Sequence, residues 1–295
     1  MTLAGGRPSG GRGRTGSAVT ALLLVPTTLW YLLLLVVPLG ILIVFSLGIR
    51  TDVGGYSPGL TLENYAQLPT RWPSFQNTLT LAVIGTALCA LVAYPLAYYL
   101  ATRAGGKRTI LLILVILPFW TSFLVRTYAW LQILGTNGIP SLLEAFGVHP
   151  RPVLLNTHAA VLLGIVYNYL PLMVFPLYVS LERLDKRLLE ASKDLGADRL
   201  RTFLQVTLPL TAPGLVSGAL LVFIPMMGEY IIPSILGGGK IYFVGNALVD
   251  LYLQSRNWPL GSAAAITLIG IILVTVTVYL RLVRSGSSQR DMSLL

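Results

Sequence analysis

Residues 15–49 read TGSAVTALLLVPTTLWYLLLLVVPLGILIVFSLGI, without one charged side chain. A helix needs about 20 consecutive, mostly apolar residues to cross the ~30 Å hydrocarbon core of a bilayer, so this run alone predicts a membrane protein. It is too long for the apolar region of a signal peptide and has no clean small-residue cleavage site, which predicts a retained anchor. Further along the chain, uncharged and mostly apolar runs recur at 72–102, 109–125, 152–181, 202–228 and 257–280. Over all 295 residues, 55% are hydrophobic and 11% charged, where a soluble domain carries about a quarter charged. This pattern excludes a water-soluble enzyme and a DNA-binding domain. It also excludes an outer-membrane barrel, whose strands are about 10 residues of alternating polarity.

Charged and Gly/Pro-rich breaks place membrane helices near 20–48, 76–101, 109–134, 159–181, 208–234 and 259–283. Lys and Arg divide unevenly between the two faces these six crossings define. The N-tail has three, the 102–108 turn three, the 182–207 loop six and the C-terminal end three (Arg281, Arg284 and Arg290), against Arg50, Arg71, Arg151, Lys240 and Arg256 on the other face. By the positive-inside rule both termini are expected in the cytoplasm. The net charge of +10 then reflects membrane orientation, and no nucleic-acid partner is expected. The resulting organisation is a flexible basic tail over 1–16, a first helix with an external loop over 17–70, a five-helix core over 71–283, and a tail over 284–295.

The single cysteine, Cys89, lies inside an apolar run, so an intrachain disulfide is impossible and core packing is its expected role. No G-x-x-x-x-G-K-[ST] phosphate loop occurs, because Gly105-Gly106-Lys107-Arg108 and Gly237-Gly238-Gly239-Lys240 both depart from that pattern. His149 and His158 read as structural. Prolines inside the helices (Pro38, Pro95, Pro118, Pro171, Pro176, Pro225) predict kinks that a bundle tolerates.

The segment from Glu182 to Thr207 breaks the apolar pattern, with eleven charged residues between 182 and 201. Leu181, Leu184, Leu188 and Leu195, then Leu200, Phe203 and Leu204, recur at helical spacing, which predicts two short amphipathic helices separated near Gly196. Periodicity alone fits a partner-docking element and a solvated interhelical loop equally well.

Within it, Glu190-Ala191-Ser192, three residues, Gly196, nine residues and Val206-Thr207-Leu208-Pro209 resemble the EAA loop (E-A-A-x3-G-x9-I-x-L-P) of ABC importer permeases. Ser192 replaces the second alanine and Val206 the isoleucine. Three more segments extend the likeness: Arg126-Thr127-Tyr128-Ala129-Trp130, Gly228-Glu229-Tyr230-Ile231-Ile232-Pro233 with Gly237-Gly238-Gly239, and Asn257-Trp258-Pro259-Leu260-Gly261-Ser262-Ala263. With Leu62-Glu63-Asn64-Tyr65, they are similar to permeases of spermidine/putrescine-type importers, most of all to the first of the two permease subunits. The wider branch also handles ferric iron, opines and phosphonates.

The resemblance implies an all-α, six-helix type I ABC importer permease in the bacterial inner membrane. It implies a second permease as heterodimer partner, two ATPase subunits that bind ATP and Mg, and an extracytoplasmic solute-binding protein, with no cofactor or metal in this chain. Glu190, Ala191, Ser192, Gly196, Leu208 and Pro209 map onto the ATPase-coupling motif. A membrane enzyme would need a His, Asp or Ser cluster at one face, and a channel a filter motif; neither pattern is found in the sequence.

Glu229 and Arg126 are the formal charges expected well inside helices, where an ionisable group costs ~2.5–3.5 kcal/mol or more at the centre and faces an interior or a partner. Counting ~1.5 Å per residue from the cytoplasmic ends places both in the outer part of the bilayer. A structural Arg126–Glu229 ion pair is the favoured expectation, and a cation path lined by Glu229 the alternative. Tyr128, Trp130 and Tyr230 are candidate path aromatics, since aromatic faces and a carboxylate suit a flexible polyammonium chain. Trp120, Tyr167, Tyr169 and Phe223 fall on the same helices, and most of these seven aromatics are expected to serve packing or an interface belt, with only a few facing a cavity.

Overall fold

A computed structural model describes residues 23–292, with side chains as far as Arg281. The expected tail over 1–16 lies outside the described residues. The first apolar run forms α1 (Leu23–Ser46), which buries almost nothing except Ser46 at its end. There the chain is tied down by polar contacts from α2 (Glu63–Ala66). Asn64 Nδ2 donates to the carbonyls of Ser46 and Gly48 at 2.9 and 2.8 Å, and Tyr65 Oη donates to Ser46 Oγ at 2.8 Å. A two-residue hairpin, β1 (Ile49–Arg50) and β2 (Tyr56–Ser57), lies between α1 and α2, with Ile49 opposite Ser57.

The core is built by α3 (Trp72–Thr102), α7 (His158–Glu182) and α10 (Ala212–Met227). These helices pack through small side chains on α3, Ala82, Cys89, Ala93 and Ala97, against Ile165, Met173 and Leu177 of α7 and Val222 and Met226 of α10, all buried. Lipid tails are as apolar as leucine, so helices associate in a bilayer where small residues let backbones approach, and not through hydrophobic burial alone. The last helix, α13 (Trp258–Met292), packs along α1 and runs past the expected end at 283. Phe45 stacks on Tyr56 at 4.4 Å and on Trp258 at 6.3 Å where they meet.

Among the described residues, four helical stretches are long and apolar enough to cross a membrane: Leu23–Ser46, Leu68–Thr102, His158–Glu182 and Trp258–Arg281. The two remaining expected spans are not continuous helices. The one expected over 109–134 is split into α4 (Gly105–Trp120) and α5 (Phe123–Leu134), which continues into α6 (Ile139–Ala145), with a bend of 91° between the halves. Pro118 closes α4 in a 3-10 turn, and Thr121 and Ser122 adopt extended ψ angles of 153° and 134°, which end the helical ladder. The span expected over 208–234 is likewise divided, with a 64° bend at Thr211 and an end at Gly228. Beyond it lie α11 (Ile231–Leu236) and α12 (Val244–Val249). Glu229 therefore sits between helices and not within one.

Candidate functional site: an open amphipathic hairpin and a buried carboxylate

The charged segment forms α8 (Lys186–Asp194) and α9 (Arg199–Leu210). Asp185 caps α8 by accepting from Arg187 N at 3.0 Å, and Asp198 caps α9 by accepting from Arg201 N at 2.7 Å, each satisfying an amide the helix cannot. Between them the chain turns on Gly196, whose φ is +81°. Ala197 N donates to Ser192 O at 3.1 Å and Gly196 N to Lys193 O at 2.8 Å, the paired bonds of a Schellman cap. A left-handed φ explains the glycine, because a side-chain-bearing L residue is strained there, asparagine and aspartate least. A Cβ at Gly196 would meet nothing within 4 Å. Ser192 Oγ lies 3.1 Å from Thr202 Oγ1, bridging α8 to α9.

This hairpin is closed by local bonds and left open outward. No residue of α8 is buried, Glu190 and Ala191 are exposed, and Leu188, Leu200 and Leu204 present apolar surface, as does Leu195 at 88% exposure. Leu208 and Pro209 are half-buried where α9 meets the bend. That bend is anchored by Tyr94 of α3, whose hydroxyl lies 2.8 Å from Thr211 Oγ1 and whose ring meets Phe203 edge-on at 5.3 Å. The hairpin is thus joined to the core through these two contacts while exposing an amphipathic face.

The second feature is Glu229, 6% exposed. Its Oε2 accepts from Tyr169 Oη at 2.6 Å, and its Oε1 accepts from Ile231 N at 2.8 Å and Ile232 N at 3.2 Å. The carboxylate thereby caps α11, where the helix dipole favours negative charge. Around it, Asn246 Nδ2 donates to Tyr230 O at 3.2 Å and Ser234 Oγ at 2.6 Å, while Asn246 Oδ1 accepts from Phe243 N at 3.1 Å. Gly245 lies against this turn so closely that a Cβ would stand 2.6 Å from Glu229 O.

The expected Arg126–Glu229 ion pair is not formed. Both residues are buried, as intramembrane charges should be, but Glu229 is taken by Tyr169 and two amides. Arg126 instead lies on α5 with its guanidinium 5.6 Å from the Phe119 ring centre and 5.8 Å from that of Phe123. The reason is the split in the two spans: a carboxylate just ahead of a new helix finds amide donors within three residues. Of the other candidates, Trp130 packs edge-on against Tyr167 at 5.4 Å, while Tyr128 and Tyr230 are exposed. Tyr169, read only as one of seven aromatics on these helices, is the partner of Glu229 that the sequence did not reveal. A hydroxyl partner 60 positions away leaves no local signal.

The chain matches the family model described as "Binding-protein-dependent transport system inner membrane component" over residues 17–285. It is 40% identical over 256 residues to the spermidine/putrescine transport system permease protein PotB of Haemophilus influenzae, covering 85% of this chain and 90% of that one. It is 39% identical to the PotB of Escherichia coli, covering 85% and 93%. The fold is shared, at 18% identity and a TM-score of 0.69, with a chain of a bacterial ABC transporter involved in the import of the acidic polysaccharide alginate, covering 92% of this chain and 96% of that one. Split spans, an open hairpin at the EAA positions and likeness over most of the chain lead to one conclusion: this protein belongs to the binding-protein-dependent transport system inner membrane components.

Proposed function

We propose that the chain is a non-catalytic permease subunit of an ATP-driven polyamine importer, forming half of the translocation path. The observation that carries the reading is the α8–α9 hairpin. A strongly amphipathic element that buries none of α8 against its own chain, held rigid by two aspartate caps and a Schellman turn, is built to seat in another protein. Its motif residues Glu190, Ala191, Ser192 and Gly196, with Leu208 and Pro209 at the bend, are the proposed ATPase-coupling surface. The Tyr94–Thr211 contact links movement of that surface to the core. The partners are two ATPase subunits that bind ATP and Mg, a second permease in a heterodimer, and an extracytoplasmic solute-binding protein.

The spermidine/putrescine names of the relatives support the substrate class. The chemistry of the surface agrees, since Tyr128 and Tyr230 offer exposed aromatic faces to a flexible polycation. Glu229, engaged at both oxygens, shapes this region by fixing α11 and contributes its negative field. Six crossings with both termini cytoplasmic, each bent pair counting as one span, are supported by the excess of Lys and Arg on the hairpin face.

Two measurements test the reading. The ATPase subunits should co-purify with this chain, and their absence from the wild-type complex would refute the permease role. The cognate solute-binding protein should bind spermidine or putrescine; binding only of an iron chelate, opine or phosphonate would transfer the substrate to that class.

A further inference from the structure

We infer that the break between α4 and α5 is a docking surface for the second permease subunit, which inserts a carboxylate against Arg126 and the open N-terminus of α5. The inference rests on the permease reading above. Depth is the first ground. From Arg108 to Trp120 the helix rises ~20 Å, so the break lies inside the ~30 Å hydrocarbon layer. Irregular backbone at that depth is tolerated only against protein or a water-filled cavity, because lipid cannot hydrogen-bond the freed amides. Yet Thr121 and Ser122 are exposed on this chain, and Ser122 makes no side-chain cap. Phe123, Leu124 and Val125 donate no backbone hydrogen bonds to other parts of the described residues.

Arg126 supplies the second, independent ground. It is 7% exposed, yet its Nε and Nη1 atoms are sequestered from the surface with no hydrogen-bond partner among the described residues. A buried guanidinium without acceptors is an unfinished site, because two ring faces offset only part of its desolvation and the rest stands until an anion arrives. The guanidinium lies over the rings of Phe119 and Phe123, one on each side of the break, so the cation and the free amides of α5 belong to the same break and carry one sign of charge. The surrounding surface is apolar and aromatic, with Trp120 at 78% and Val125 at 64% exposure, which suits the centre of a protein interface and not the wall of a water-filled path. A carboxylate from the facing chain also neutralises a charge that would otherwise repel a polycation.

The experiment uses the whole importer. Arg126→Met should lower recovery of the second permease by at least about tenfold, while the amount and melting behaviour of the variant chain itself stay at the wild-type level. Arg126→Glu should lose assembly and regain it when one Asp or Glu in a membrane segment of the second permease is changed to Arg. A photocrosslinker at Val125 should capture the second permease. The inference is overturned if Arg126→Met assembles fully, if the variant chain no longer accumulates, if Glu229→Lys rescues Arg126→Glu, or if the crosslinker captures only lipid. A wild-type complex that holds its ATPase but no second permease refutes the two-permease reading itself, an outcome distinct from these.

Discussion

Replacing Tyr169 with Phe, Glu229 with Gln, and both together measures how the buried carboxylate is held. The Tyr169 hydroxyl approaches Glu229 Oε2 at 2.6 Å, short enough for a charge-assisted bond. Neutral hydrogen bonds between membrane helices couple by ~0.6 kcal/mol on average, whereas bonds to a charged group are worth ~1.5–3 kcal/mol. A cycle free energy of about 1.5 kcal/mol or more is therefore expected if the carboxylate is ionised, roughly a tenfold effect on the unfolding equilibrium. Unfolding of the purified complex in mixed detergent micelles, followed by tryptophan fluorescence, supplies the four stabilities. The parallel cycle of Arg126→Gln and Glu229→Gln should be additive to within ~0.5 kcal/mol, because the two groups share no contact. A Tyr169–Glu229 coupling below that limit, or an Arg126–Glu229 coupling of 1 kcal/mol or more, would refute the assignment of partners.

Two further outcomes follow from the hairpin and from the charge distribution. Gly196→Val should weaken ATPase association and uptake, since a left-handed φ costs a side-chain-bearing residue ~1–2 kcal/mol, while Gly196→Asn, which tolerates that conformation, should retain most of both. Equal damage from Asn and Val, read by co-purification and uptake, would show that crowding by the partner and not backbone conformation selects the glycine. For topology, a reporter fused after Leu295 should be cytoplasmic and one inserted near Gly238 should be external; a Gly238 site protected from protease in right-side-out vesicles would invert the assignment.

Much of this protein is decided by local composition and is therefore legible in the sequence. The uncharged runs specify membrane helices because the cost of burying charge acts residue by residue, and no tertiary contact is needed to see it. The paired helices of the hairpin are equally local. Leucine spacing defines their faces, and Asp185, Gly196 and Asp198 close them with bonds that span only a few residues. What tertiary structure decided lies inside the apolar runs. Hydropathy sums side chains and carries no term for the backbone ladder, so residues 109–134 and 208–234 read as continuous spans although each is divided. The same blindness paired Arg126 with Glu229 by depth alone. The fold instead brings Tyr169 from 60 positions away to one carboxylate oxygen, turns the other onto the amides of α11, and leaves Nε and Nη1 of the arginine without an acceptor among the described residues.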